Sequence, residues 1–251
     1  MTRLSERMTP AQMQAVLRRL RFGQRTNLGL SGESPGIVTT AKNWTVYSQT
    51  SVAIGQEIAV TPVQMARAFC AIARTGDDAG TMPALRLTAA GEDDRRGLVG
   101  QPVTAERVFP AEVAEHVRTA LAGVADRMDA LMERRFKDEH GEPRYTMFGK
   151  SGTADIPCSA PRGLRRPPGS SGYYDNQYNS SFLAAAPSPE PRIVVLVVID
   201  DPGPALVRRK EHYGSWVAGP VVRRVVERTL PYLGVAPDVR ESEEAVAAAS
   251  N

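Results

Sequence analysis

The sequence predicts a mixed α/β (α+β) fold in which capped helices flank an antiparallel sheet, and three observations carry that prediction. Thr9-Pro10-Ala11-Gln12 and Thr61-Pro62-Val63-Gln64 are reciprocal capping boxes, each satisfying orphan amides at a helix start. Two strand-like runs, Tyr178–Ala186 and Arg192–Asp200, flank the turn Pro187-Ser188-Pro189-Glu190-Pro191 and read as a hairpin. Within the second run Ile193–Ile199 is apolar at every position, the pattern of a central strand covered on both faces and paired on both edges.

Taken in order, the first box opens a helix over residues 10–21 with Met13, Val16, Leu17 and Leu20 on one face. Residues 22–50 are dense in turn formers and read as an ordered loop with short elements. The second box opens a helix that buries Ala66, Phe69, Ile72 and Ala73 and stops at Gly76. Polar, glycine-rich residues 77–103 form a surface excursion with one short strand around Ala84–Leu87. Pro110 then opens a helix with Val113, Val117, Leu121, Val124, Met128, Leu131 and Met132 inward, ending in the charged run Glu133–Glu139, a solvated helix end. After a strand at 145–154 comes a loop from Pro157 to Asn176 that carries Arg162, Arg165 and Arg166. The hairpin follows, then a helix from Trp216 to Leu233 with Val221, Val222, Val225, Val226 and Leu230 inward. Residues 1–235 form the folded part and 236–251 a disordered tail.

Composition excludes several function classes. With 42% hydrophobic and 24% charged residues, the 251-residue chain is globular. A net charge of +3, with arginines scattered rather than interleaved with aromatics, argues against nucleic acid as a partner. Cys70, Cys158, His116, His140 and His212 have no metal-ligand spacing. The longest apolar run is far short of the roughly 20 residues that span a bilayer, and nothing near Met1 resembles a signal peptide.

The chemistry concentrates at Gly149-Lys150-Ser151-Gly152-Thr153-Ala154. Lys150 offers a compact cation, Ser151 and Thr153 offer hydroxyls, and Gly152 lets a ligand backbone approach the strand, so the tip suits an anion. A phosphate loop would need a glycine five places before Gly149, where Arg144 stands.

The order Lys-Ser-Gly-Thr resembles the third motif of penicillin-recognising serine transpeptidases and β-lactamases. Further segments occur in series: Phe22-Gly23-Gln24-Arg25-Thr26 with Gly32-Glu33; Ile54 through Gln64; Tyr178-Asn179-Ser180-Ser181-Phe182 with Ala186-Pro187; and Tyr213-Gly214-Ser215 before Ala218-Gly219-Pro220. Together, over roughly residues 5–235, they resemble the C-terminal half of the transpeptidase domain of a class B penicillin-binding protein of the elongation or septal type. The resemblance implies a penicillin-binding transpeptidase / serine β-lactamase-like fold in which 145–154, 178–186 and 192–200 are the last three strands of a five-stranded sheet. It implies that Lys150, Ser151, Gly152 and Thr153 bind substrate, that Lys150 and Thr153 serve catalysis, and that the Thr153 amide is half an oxyanion hole. The implied ligands are a D-Ala-D-Ala stem peptide of peptidoglycan and β-lactams, with no metal or organic cofactor.

The same family attacks with a serine in Ser-x-x-Lys and carries a Ser-x-Asn motif, and neither occurs in this sequence. The nearest imitation, Thr39-Thr40-Ala41-Lys42, has no helix-start signature. Judged by the resemblance, Met1 falls just after the Ser-x-Asn position. The expectation is a chain inactive alone, because losing the nucleophile of a serine hydrolase costs on the order of a million-fold. Its N-terminal half would come in cis or from a split partner, and Ile193–Ile199 would show one unpaired apolar edge where strands are missing. The full-length family protein would sit at the outer face of the cytoplasmic membrane through an N-terminal anchor this chain lacks. The alternative is a non-catalytic module that scaffolds cell-wall synthesis proteins.

Overall fold

A computed structural model describes residues 2–85, 105–136, 143–158, 169 and 172–239. They divide into two compact units, Met1–Glu115 and His116–Asn251.

In the first unit α1 (Thr2–Ser5), which carries no sequence signal, precedes α2 (Pro10–Arg19). The expected box forms: Gln12 N donates to Thr9 Oγ1 at 3.2 Å and Thr9 N to Gln12 Oε1 at 2.8 Å. The ordered loop contains β1 (Ile37–Val38), a single 3-10 turn at Ala41–Asn43 and the start of α3 (Ser48–Ala53). β1 pairs antiparallel with β2 (Ile58–Ala59). Glu33 organises the bend before β1 by accepting from Asn27 N at 2.8 Å, Leu28 N at 2.6 Å and Thr26 Oγ1 at 3.1 Å. Desolvation pushes its carboxyl upward, but these bonds outweigh it and hold the pKa below the usual range.

The second box opens α4 (Pro62–Ala73). Gln64 does more than cap. Buried, it also donates through Nε2 to Gln24 O at 2.7 Å and Pro35 O at 2.9 Å, which ties the loop to the helix start. The buried face holds Phe69 and Ala73 as expected, together with Ala68 and Ala71, whereas Ala66 and Ile72 are only half-buried. The helix stops at Ala73, where Arg74 turns extended, and Gly76 lies in the following 3-10 turn. A short strand, β3 (Thr81–Met82), pairs with β4 (Glu106–Arg107), and Met82 packs with Ala71 and Val108; of the strand expected around Ala84–Leu87, Ala84 and Leu85 lie outside β3 and the other two residues outside the described ones. Residues 86–104 lie outside the described residues.

α5 (Ala111–Phe136) passes from the first unit into the second. It buries Met128 and Met132 as expected, with Ala125 beside them, while Val113 is exposed and Ala114 buried in its place. The second unit is built on a three-stranded antiparallel sheet in the order β5 (Phe148–Pro157), β6 (Tyr173–Ala186), β7 (Ile193–Asp200). β5 starts three residues later than expected; the Tyr145 carbonyl accepts from Arg223 Nη1 and the Thr146 amide donates to Asp238 Oδ1, so these backbone groups bond outside the ladder. β6 starts five residues earlier, so the loop expected from Pro157 to Asn176 is shorter at both ends; 159–168 and 170–171 lie outside the described residues. The turn between β6 and β7 falls where the hairpin was expected.

α6 (Pro204–Arg208), α7 (Gly214–Val217) and α8 (Gly219–Tyr232) complete the unit. The helix expected over 216–233 is therefore two, with a break at fully buried Ala218, after which Gly219-Pro220 begins a new helix with the proline in its first turn. Val222, Val226 and Leu230 of α8 pack on Phe182, Ala184 and Ala186 of β6 and on Ala125, Met128 and Met132 of α5. Each such aliphatic side chain contributes about 1.5–3 kcal/mol by burial. Val221 and Val225, expected inward, are 42% and 37% exposed, since the 222–226–230 row meets the sheet and they flank it. Arg223 is buried instead: Nε donates to Asp129 Oδ1 at 2.9 Å, Nη2 to Asp129 Oδ2, and Nη1 to Tyr145 O at 2.5 Å. Burial pushes the Asp129 carboxyl up, and Arg223 pulls against it.

β7 shows the unpaired apolar edge expected of it in this chain: α8 covers one face and, among the described residues, β6 is its single strand partner. One expectation about the C-terminal end needs correction. The tail expected to be disordered from 236 is docked at least through Val239, whose N donates to Arg144 O at 3.1 Å. Residues 240–251 lie outside the described residues.

Candidate functional site

β5 carries all four residues singled out from the sequence. Its register against β6 is Lys150↔Leu183, Ser151↔Phe182, Gly152↔Ser181 and Thr153↔Ser180. Strand alternation therefore puts Lys150 and Gly152 on one face and Ser151 and Thr153 on the other, the face that carries α8. Among the described residues no strand pairs with the outer edge of Gly149–Ala154. Lys150 is exposed, and its Nζ donates to the neighbouring Ser151 carbonyl.

The tip is braced from above by α7. Gly214 N donates to Thr153 Oγ1 at 3.2 Å. A Cβ on Gly214 would stand 2.0 Å from Ser181 O and 2.5 Å from Gly152 O, so only glycine lets the helix start this close to the sheet. A Cβ at Gly152 would stand 2.7 Å from Ser181 Oγ, a hydroxyl that can rotate aside, so packing within the chain tolerates a small side chain there. The sequence reading assigned that glycine to ligand approach.

Beyond Thr153 lies an aromatic group that the sequence reading gave no role. The His212 ring stacks on Tyr178 at 4.5 Å and meets Tyr213 at 4.3 Å, centroid to centroid. The His212 carbonyl accepts from buried Ser180 Oγ, and the His212 ring is itself buried. The available signal was that Tyr178 and Tyr213 both lie inside segments already singled out as a series. By contrast, Thr39 and Lys42 are not brought together on an α-helix; Ala41–Asn43 is one 3-10 turn without a side-chain cap, and Lys42 is exposed.

Comparison with known proteins agrees with this arrangement. The model of the penicillin-binding protein transpeptidase domain matches residues 1–227. The chain belongs to this family. Among relatives of the transpeptidase family, penicillin-binding protein PbpB of Mycobacterium tuberculosis is 31% identical over 199 residues, 79% of this chain and 28% of that protein. Peptidoglycan D,D-transpeptidase FtsI of Escherichia coli is 28% identical over 220 residues, 88% of this chain and 32% of that protein. The transpeptidase domain of penicillin-binding protein 3 from Burkholderia pseudomallei superposes with a TM-score of 0.71 at 30% identity, over 95% of this chain and 62% of that one. Penicillin-binding protein 3 of Mycobacterium tuberculosis, solved with ampicillin, superposes with a TM-score of 0.70 at 26% identity, over 96% and 50%. The chain spans between 28% and 50% of the length of the curated relatives it matches. Among the described residues no helix is long and apolar enough to cross a membrane.

Proposed function

We propose that this chain supplies the ligand-anchoring part of a penicillin-binding D,D-transpeptidase that cross-links peptidoglycan stem peptides through a serine acyl-enzyme. The observation that carries the reading is the outer edge of β5, unpaired among the described residues, with Lys150, Ser151, Gly152 and Thr153 at its tip. Lys150, Ser151 and Thr153 hold the free carboxylate of a D-Ala-D-Ala stem or of a β-lactam, and the peptide adds along the strand edge. The Thr153 amide donates to the oxyanion of the tetrahedral intermediate. The serine attacks the penultimate D-Ala carbonyl, terminal D-Ala leaves, and the amine of a neighbouring stem peptide takes the acyl group.

The nucleophile and the Ser-x-Asn group come from a segment other than these residues, in cis or from a split partner, since neither motif occurs in the sequence. The apolar outer side of β7 supports the same view, as it offers an edge on which further strands of the sheet can add. Attachment to the outer face of the cytoplasmic membrane would reside in such a segment too. Absence of the two motifs also favours a second reading, a non-catalytic scaffold of cell-wall synthesis. Retention of the whole Lys150–Thr153 tip favours the first.

Intact mass of the native protein from its own cells, with and without a β-lactam, tests the reading. The expected result is a species heavier than 27.2 kDa that gains one drug equivalent. Lys150→Ala should slow that gain roughly 10- to 100-fold, the worth of one charge-assisted carboxylate contact. A 27.2 kDa species whose Lys150→Ala variant leaves every drug-labelled protein in the cell unaltered would establish the scaffold instead.

A further inference from the structure

We propose that residues 235–239 form a strap that fixes the start of β5, with Asp238 as its clasp and as a positioning residue for the Lys150–Thr153 tip. The strap begins with the way α8 ends. Gly234 adopts φ +71°, Val235 N donates to Leu230 O at 3.0 Å and Gly234 N to Pro231 O at 3.0 Å, the paired bonds of a Schellman stop. That stop turns the chain back across the residues that lead into β5. There Val235 O accepts from Tyr145 OH at 2.7 Å, Val239 N donates to Arg144 O at 3.1 Å, and Asp238 Oδ1 accepts from Thr146 N at 2.8 Å.

Thr146 is where the contacts converge. Its Oγ1 donates to Asp238 Oδ2 and accepts from Ser188 N at 3.1 Å, so one hydroxyl joins the strap, the base of β5 and the β6–β7 turn. β5 has β6 as its one strand neighbour among the described residues, and its first residue, Phe148, follows Thr146 by two positions. An outer strand held from one side needs a second constraint at its root. Lys150 stands four residues along, about 13 Å at strand rise, so movement at Thr146 is carried to the tip by a stiff, paired strand.

Amide hydrogen exchange of the chain itself tests the strap. Asp238→Ala should speed exchange from Thr146 to Lys150 by about tenfold while α8 and β7 keep their protection, because the opening is local. Asp238→Asn, which still offers an oxygen to the Thr146 amide, should restore most of it. Thr146→Val, which keeps the amide bond to Asp238 but loses the hydroxyl contact with Ser188, should speed exchange at the β6–β7 turn, which Asp238→Ala leaves protected. A uniform rise over β5, β7 and α8, or no change anywhere, would overturn the strap. The positioning role rests on the function proposed above, and a drug-reactive form separates the two: acylation should slow about tenfold in Asp238→Ala and recover in Asp238→Asn, as expected of a misplaced binding group. Faster exchange without slower acylation overturns the positioning role. A wild-type protein that never reacts counts against the functional reading and leaves the exchange result standing.

Discussion

β5 and β7 hold the same place in one sheet, each an outer strand with β6 as its single strand neighbour among the described residues, yet their chemistry is opposite. Along β5 the edge is Gly149-Lys150-Ser151-Gly152-Thr153, small and polar with one cation. Along β7 it is Ile193 through Ile199 with no charge until Asp200. Open edges template unwanted pairing, and proteins blunt them with charge, bulges or breaks in the ladder. β5 has Lys150 and a break in its register with β6 between Asp155 and Pro157; β7 has neither over its apolar run. The difference teaches that edge position does not assign a role by itself. A polar edge can stay open to an extended ligand, whereas an apolar one is made to be covered.

The two strands also differ in how they are held, and the largest effect is expected there. β7 rests on α8 through Ile193, Val195, Val197 and Ile199. The root of β5 instead hangs on the buried Arg223–Asp129 pair, which also grips Tyr145 O. Removing one partner of a buried pair leaves the other uncompensated, so Arg223→Ala should cost about 3–5 kcal/mol and lower the Tm by on the order of 10 °C in thermal unfolding. An Arg223→Ala protein as stable as its parent would mean that β5, like β7, is held by apolar packing. Next in size is Gly214→Ala. Its methyl would collide with Ser181 O and Gly152 O, and overpacking of this kind costs about 1–3 kcal/mol. Resonances of Gly152, Ser181 and Thr153 should shift while those of Val194–Val198 do not. Shifts that spread to β7 would show that the two edges are mechanically one.

Much of this was legible in the sequence because local chemistry decided it. Both capping boxes form as written, since a threonine and a glutamine three residues on need only each other. The strand position of Lys150–Thr153 was legible for the same reason, as four adjacent residues that all fall on one strand. What could not be read depended on residues distant in sequence. β5 begins at Phe148 because Asp238, 92 positions from Thr146, takes the Thr146 amide. α8 buries Arg223 and exposes Val221 and Val225 because Asp129 and Tyr145 supply partners that no periodicity foretells. The His212 stack likewise needs β6 and the segment before α7 to be brought together first. Ile193–Ile199 is instructive in another way. An all-apolar run reports what a strand is made for, pairing on both edges, and the missing family motifs point to one edge left bare; among the described residues only one edge is paired.

That inference sets up the smallest expected effect and the sharpest contrast between the edges. Val198 is 43% exposed and pairs across from Ser181, on the face away from α8. In the chain alone, Val198→Lys should change stability by no more than about 0.5 kcal/mol, because a half-exposed position lets the ammonium reach water. It should nonetheless reduce self-association in sedimentation, since a lysine on an apolar edge is the usual guard against strand-to-strand pairing. In a form where a further strand covers the outer side of β7, the same lysine meets an apolar neighbour and the loss of stability should exceed about 1 kcal/mol. Lysine at 198 that leaves self-association unchanged in the chain alone would show that the β7 edge is not adhesive, and the contrast with β5 would then lie in composition without consequence for assembly.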